Sequence, residues 1–247
     1  MVRNSKLRLF VKNTLAGSTS IELTRDAAHY VSNVMRLSVG DPLILFNGRD
    51  GEWEGEIRCA KRNSCIVDLL QLLRSQVVEP DVWIAAALIK RTRMEFLIEK
   101  ATELGVTRIL PVTTRRSVVS RINVDRVTLR AIEAAEQCGR LSVPDIVEPQ
   151  QLERFLETLE AESRVFWCDE SGKSPAIASV LPQIRGEQCK GPWILLIGPE
   201  GGFDNTERKL FVNNSKVVGV DLGPYVLRSE TAATVVLGIF RALMLNL

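Results

Sequence analysis

Two loops broken by glycine and proline constrain this chain more than any other feature, because each closes a run of β-forming apolar residues and opens onto a helical pattern. The first is Ile194-Leu-Leu-Ile-Gly-Pro-Glu-Gly-Gly-Phe203 and the second is Leu222-Gly-Pro-Tyr-Val-Leu-Arg-Ser-Glu-Thr-Ala232. A strand that gives way to a helix in this manner places its loop at the carboxyl edge of a parallel sheet, where open α/β sheets bind ligands. Glycines at 198, 201 and 202 permit a tight turn and close approach of backbone to a small molecule. The G-x-x-G-G spacing matches neither the dinucleotide fingerprint nor the phosphate-cradling P-loop, and no lysine follows it. Taken alone, the stretch leaves a glycine turn without function open.

The two halves of the chain follow different grammars. From Leu7 to about Leu73 the signals are mostly β: strands at Leu7–Val11, Pro42–Phe46, Trp53–Cys59 and Cys65–Leu72, turns at Asn47-Gly48, Asp50-Gly51 and residues 61–64, and one helix over Thr24–Leu37. Short strands with such turns suggest a small barrel. The polar link Arg74-Ser-Gln-Val-Val-Glu-Pro80 marks a boundary, giving expected domains 1–74 and 81–247.

After Asp81, strands alternate with helices. Strands are expected at Val82–Leu88, Arg108–Val112, Arg164–Cys168, Trp193–Ile197 and Lys216–Leu222. Helices are expected around Met94–Leu104, stopped by Gly105, then at Val124–Cys138, Pro149–Leu159, Pro175–Leu181, Asn205–Asn213 and Thr231–Leu245. This alternation implies a parallel sheet covered on both faces. The last helix is apolar nearly all round and must be buried on most sides, in the core or against a second subunit.

Composition narrows the chemistry. The five cysteines (59, 65, 138, 168 and 189) never form C-x-x-C, and His29 is the only histidine, so a zinc site or a histidine-based nucleophilic engine has little to build on. Reduced, mostly buried thiols are expected, and no metal. No apolar run reaches the roughly 18 residues of a membrane span, and Met1–Lys6 lacks the apolar core of a signal peptide, so a cytoplasmic protein is expected. Residues 1–145 carry 22 Lys+Arg against 17 Asp+Glu and the remainder 10 against 13, an asymmetry that allows a polyanionic partner without demanding one.

Six motifs then coincide in order: His29-(x4)-Val-Met-Arg-Leu37 with Gly40-Asp41; Arg93-Met-Glu95 with Glu99-Lys-Ala-Thr-Glu-Leu-Gly105; Arg116-Ser-Val-Val119; Ala135-Glu-Gln-Cys-Gly-Arg140; Ile197–Phe203; and Leu227-Arg-Ser-Glu-Thr-Ala232. With them, essentially everything after Lys6 resembles the RsmE family of ribosomal RNA methyltransferases, in the trefoil-knotted SPOUT superfamily. The resemblance implies an α/β chain with a PUA-like β-barrel for RNA and a knotted parallel-sheet domain that holds S-adenosylmethionine. It also implies a homodimer that methylates N3 of one uridine in 16S ribosomal RNA of the small subunit. Two departures stand out. Tyr225 occupies a place where the family usually has arginine, and Lys90-Arg-Thr-Arg93 replaces a commoner Lys-Gly-Asp-Arg.

On that reading the donor lies against Leu196, Ile197, Gly198, Pro199 and Gly201 on one side and Leu222, Gly223, Tyr225 and Leu227 on the other. Uncharged loops suit a donor without phosphates. Uridine N3 must lose its proton before it attacks, so Glu200 and Glu230 are the acidic candidates and Arg228 the group to stabilise charge on a uracil carbonyl. Glu230 equally suits the start of a helix, and Glu200 equally suits ordering its loop. RNA contact is expected from Arg8, Arg36, Arg93, Arg115, Arg116 and Arg140, since guanidinium pairs with phosphate and stacks on bases, with naked RNA or the assembled 30S subunit as substrate. Methylation at another ribosomal or transfer RNA site, or RNA binding without catalysis, remain the alternatives.

Overall fold

The structure, a computed structural model, describes residues 7–61, 64–184 and 191–245. Residues 62 and 63 of the expected polar turn, and Cys189, lie outside them. The chain divides into two compact units: the described residues up to Val78 with Ala135–Val143, and Glu79–Ala134 with Pro144 onward.

The first unit contains β1 (Arg8–Phe10), β2 (Ser20–Glu22), α1 (Arg25–His29), β3 (Pro42–Phe46), β4 (Glu52–Lys61) and β5 (Ser64–Arg74). They form one sheet in the order β1-β3-β4-β5-β2, antiparallel except for the parallel β1–β3 pair. Alternate residues such as Leu43, Leu45, Ile57, Val67 and Leu69 enter a single core with Ala28 and Val31 of the helical segment. That segment is not the uniform helix the periodicity suggests. Thr24 caps α1, but the backbone widens into a π-helical turn over Tyr30–Val34 and ends at Arg36, whose φ of 57° is left-handed. The wider turn keeps Val31 in the core, with Met35 N–H donating to Tyr30 O at 2.9 Å.

The segment Ala135–Val143, read from sequence as part of the second domain, clusters with the first unit for a physical reason. Arg8 donates to the carbonyls of Ala135, Glu136 and Arg140 at 2.8–2.9 Å, and Arg74 to that of Gly139 at 2.7 Å. These two guanidiniums gather carbonyls from the last turn of α3 and from the residues that follow it, which ties the end of that helix to the first unit.

The second unit contains β6 (Val82–Ala87), α2 (Arg91–Glu103), β7 (Arg108–Thr113), most of α3 (Val124–Cys138), β8 (Asp145–Ile146), β9 (Gln150–Gln151), α4 (Leu152–Glu157), β10 (Arg164–Cys168), α5 (Ile177–Ile184), β11 (Trp193–Ile197), α6 (Asn205–Val212), β12 (Val217–Val220) and α7 (Ser229–Met244). Its sheet runs β12-β10-β11-β6-β7-β8, with β9 also on β7, and every pairing is parallel. The register sets Trp167 beside Leu196 and Cys168 beside Val220, so β10, β11 and β12 end together at one edge.

Both faces of this sheet are covered. On one, Ile194, Leu196, Val165 and Trp167 pack with Phe203 and Phe211 around α6. On the other, Phe240 of α7 lies against Phe166 and Trp193, with ring centroids 6.2 and 5.8 Å away. Helix α7 packs on α2, α5 and β11 and buries Ala232, Ala233, Val236, Leu237 and Phe240, so the apolar residues of the last helix are used largely within this chain. Among the described cysteines, Cys65 and Cys168 are buried, Cys59 is half-buried and Cys138 is exposed, so burial of the thiols is only partial.

Candidate active site

A cleft of about 290 Å³ opens where β10, β11 and β12 end together. Three loops form its walls, Cys168–Gly172, Ile197–Gly202 and Asp221–Leu227, and Ser229 and Ala232 at the start of α7 close it. Its lining includes Asp169, Glu170, Glu200 and Asp221, with no lysine or arginine among the described residues that line it. Such a cleft attracts a cation and repels phosphate.

The first glycine loop turns at Gly202, whose N–H donates to Pro199 O at 2.9 Å and whose φ of 65° is left-handed. A side chain there would also run into the Glu170 carboxylate. Gly198 serves differently: a Cβ on it would meet the Phe203 ring at 2.9 Å, so glycine lets the buried ring close under the loop. After Phe203, α6 begins with a capping box in which Asp204 accepts from Glu207 N–H and Glu207 from Asp204 N–H, both at 2.8 Å. Fully buried Glu207 also accepts from Arg115 N–H at 2.8 Å, fastening the segment after β7 to this loop.

The second glycine loop is joined to the first by the Ser229 hydroxyl, which donates to Gly198 O at 2.7 Å. Asp221 accepts from Gly223 N–H at 3.0 Å and tightens the turn. The third loop is held by charge. Asp169, only 5% exposed, accepts from Arg208 at 2.6 Å, from Ser171 Oγ at 2.7 Å and from Ser174 Oγ at 2.9 Å. Burial alone would raise its carboxyl, but Arg208 and the serines outweigh that and hold it below the ordinary range. Arg208 also pairs with Glu170 and lies over the Trp167 ring, 5.1 Å from its centroid. Beside this network, burial pushes the Cys168 thiol far up, so it stays protonated.

Arg93, on α2, bridges two acids from different elements. Its Nη1 donates to Glu200 Oε1 at 2.9 Å, and its Nε lies 3.8 Å from Glu230 Oε1. The other Glu230 oxygen is buried without a hydrogen-bond partner.

Against the residues singled out from sequence, Ile197, Gly198, Pro199, Glu200, Leu222, Gly223, Tyr225 and Leu227 line the cleft. Leu196 does not; it points into the core, fully buried, as alternation along β11 requires. Gly201 faces Arg116 instead, whose Nη1 donates to its carbonyl at 2.8 Å. Arg228 and Glu230 stand at the start of α7 outside the lining, Arg228 exposed and Glu230 turned toward Arg93.

Two of the six arginines named for RNA are engaged within the chain. Arg8 is bonded to Glu52 at 2.7 Å, to three carbonyls and over the Phe46 ring, and Arg140 is 9% exposed; neither side chain is presented to a partner. Arg36, Arg115 and Arg116 are exposed, while Arg93 is half-buried between its two acids. The sequence reading missed the Cys168–Gly172 wall, Asp221, Ser229 and Ala232. The signal for the first was present: Asp169-Glu-Ser-Gly172 follows an apolar strand just as the two glycine loops do.

A small β unit followed by a parallel α/β sheet with a cleft at its carboxyl edge accords with the class that two family matches define, an RNA methyltransferase with a PUA domain. The family described as an RNA methyltransferase domain matches residues 77–241, and the RNA methyltransferase PUA domain matches residues 23–70. Within that class, the chain belongs to the ribosomal RNA small subunit methyltransferase E family. It is 34% identical to ribosomal RNA small subunit methyltransferase E of Rickettsia conorii, over 92% of this chain and 91% of that protein. It is also similar to a putative methyltransferase from Legionella pneumophila solved with bound S-adenosylmethionine, with 29% identity and a TM-score of 0.85 over 96% of this chain and 97% of that one. The methyltransferase E of Neisseria gonorrhoeae, at 21% identity and a TM-score of 0.84 over 96% and 98% of the two chains, shares the fold.

Proposed function

We propose that this protein transfers a methyl group from S-adenosylmethionine to N3 of one uridine in 16S ribosomal RNA of the small subunit. The observation that carries the reading is the cleft itself: glycine loops for close approach, with four carboxylates and no cation among the described residues that line it. That lining fits a donor with a sulfonium and an ammonium group and no phosphate. When bound there, S-adenosylmethionine supplies a methyl already activated for in-line displacement, so the protein's task is chiefly alignment and management of the N3 proton.

Backbone from Ile197–Pro199 and Leu222–Leu227 holds the donor, joined by Asp169, Glu170 and Asp221, which the sequence reading lacked. Glu200 receives the N3 proton, a role supported by its position in the cleft lining and by the hydrogen bond from Arg93 that orients it. Glu230 shares that arginine and keeps a free oxygen. Arg228, exposed at the head of α7, stabilises negative charge on a uracil carbonyl. Arg36, Arg115 and Arg116 meet RNA phosphates.

A homodimer acting on the assembled 30S subunit in the cytoplasm belongs to the same reading. So does a trefoil knot, supported by the segment after the edge strand β12, which must pass the end of β10 for Ser229 to reach Gly198 after β11. The decisive experiment offers labelled donor with 30S particles and with free 16S RNA from cells lacking the enzyme, followed by nucleoside analysis. N3-methyluridine is the expected product. A methylated ribose, recognised by its resistance to alkali, or a different base would overturn the assignment of the acceptor, and absence of measurable donor binding would leave an RNA-binding protein.

A further inference from the structure

Tyr225 stands apart from the rest of the cleft wall. It lines the cleft and yet is 81% exposed, and its neighbour Val226 is 79% exposed. A residue packed into the donor site would be enclosed by the loops that form it; this ring instead stands on the rim. It is also the only aromatic residue in the lining. The carboxylates of the lining nearest the solvent, Glu170 and Glu200, are already paired with Arg208 and Arg93, so what the rim itself offers an RNA strand is the face of an aromatic ring.

Geometry ties the rim to the acceptor. Methyl transfer needs the attacking nitrogen about 3–3.5 Å from the methyl carbon and in line with the bond that breaks. With the donor inside the cleft, the acceptor base must lie across its mouth, unstacked from its neighbours in the RNA. An unstacked base loses the faces it shared with those neighbours, and an exposed aromatic ring restores one of them.

We propose that Tyr225 is the stacking platform for the unpaired target base, and that it recognises the acceptor rather than the donor. The inference rests on the methyl-transfer reading above and adds the residue that holds the base. The ring provides the contact and the hydroxyl is dispensable.

The test compares Tyr225→Ala, Tyr225→Phe and Tyr225→Trp in the full chain. It measures kcat/KM for 30S subunits, donor affinity by calorimetry, and affinity for a labelled single-stranded RNA containing the target uridine. Tyr225→Ala should lower kcat/KM for RNA about tenfold or more, leave the donor Kd within about twofold, and weaken RNA binding; the phenylalanine and tryptophan variants should stay within about threefold of the original chain. The proposal is overturned if Tyr225→Phe is as damaging as Tyr225→Ala, or if donor affinity falls in step with turnover. Should the original chain transfer no methyl at all, the proposed reaction fails, and RNA affinity still decides the platform: an unchanged Kd for Tyr225→Ala overturns it, whereas loss restored by phenylalanine supports it.

Discussion

Asp169 is almost fully enclosed and still carries a charge held by Arg208, Ser171 and Ser174. Its carboxyl lies below the ordinary value of 3.8 in the folded chain. A depressed carboxylate contributes stability above its unfolded pKa, and that contribution is lost as pH falls through the folded value. Asp169→Asn should therefore destabilise the protein at pH 7 by about 1 kcal/mol, a figure kept low because Arg208 retains some solvent. The gap between variant and original chain should narrow towards pH 3; a gap in urea midpoint that is the same at both pH values would show that the charge is not what Asp169 contributes. Arg228 is a second test at this scale. Removal of its guanidinium (Arg228→Ala) should reduce kcat by about tenfold or more with donor Kd little changed, since it lies outside the cleft lining. Equal losses in both would mean that it positions the donor.

At the level of elements, α7 is where cleft and core meet. Its first residue, Ser229, is 5% exposed and joins the two glycine loops through the Gly198 carbonyl, while the following turns bury Ala232, Val236 and Phe240. Ser229→Ala removes that bond and leaves a carbonyl short of its partner, at about 1 kcal/mol. The unfolding midpoint should drop by about 2–4 °C and donor affinity should weaken severalfold; unchanged donor affinity would show that the two loops hold their spacing without it. Most elements were legible in the residues because their periods are long. The expected Val124–Cys138 helix and the strands at Arg164–Cys168 and Trp193–Ile197 coincide with α3, β10 and β11. By contrast β2, β8 and β9 span two or three residues each, too short for a period, and exist because a neighbouring strand offers them a partner. The expected helix at Pro149–Leu159 shrank for the same reason: Gln150 and Gln151 pair with β7, and only Leu152–Glu157 remains helical.

For the whole molecule, the proposed homodimer is the feature to test. The last helix buries Ala232, Ala233, Val236, Leu237 and Phe240 within the chain and leaves Val235, Ile239, Leu243 and Met244 half-buried, surface that the proposed homodimer would cover. Light scattering should give twice the 27.5 kDa chain mass; the mass of one chain at micromolar concentration would overturn the homodimer. The residues alone determined the strand and helix grammar, the two glycine loops and the absence of a phosphate cradle, because each depends on neighbours a few positions away. Only the tertiary structure decided which loops share the cleft. It brought Glu170 beside Gly202, set Arg93 between Glu200 and Glu230, and turned Arg8 inward onto Glu52 and the carbonyls at the end of α3. A charge or glycine reads the same in sequence whether it faces solvent or a partner more than a hundred residues away, and that partner is supplied by sheet order and register, which no local pattern encodes.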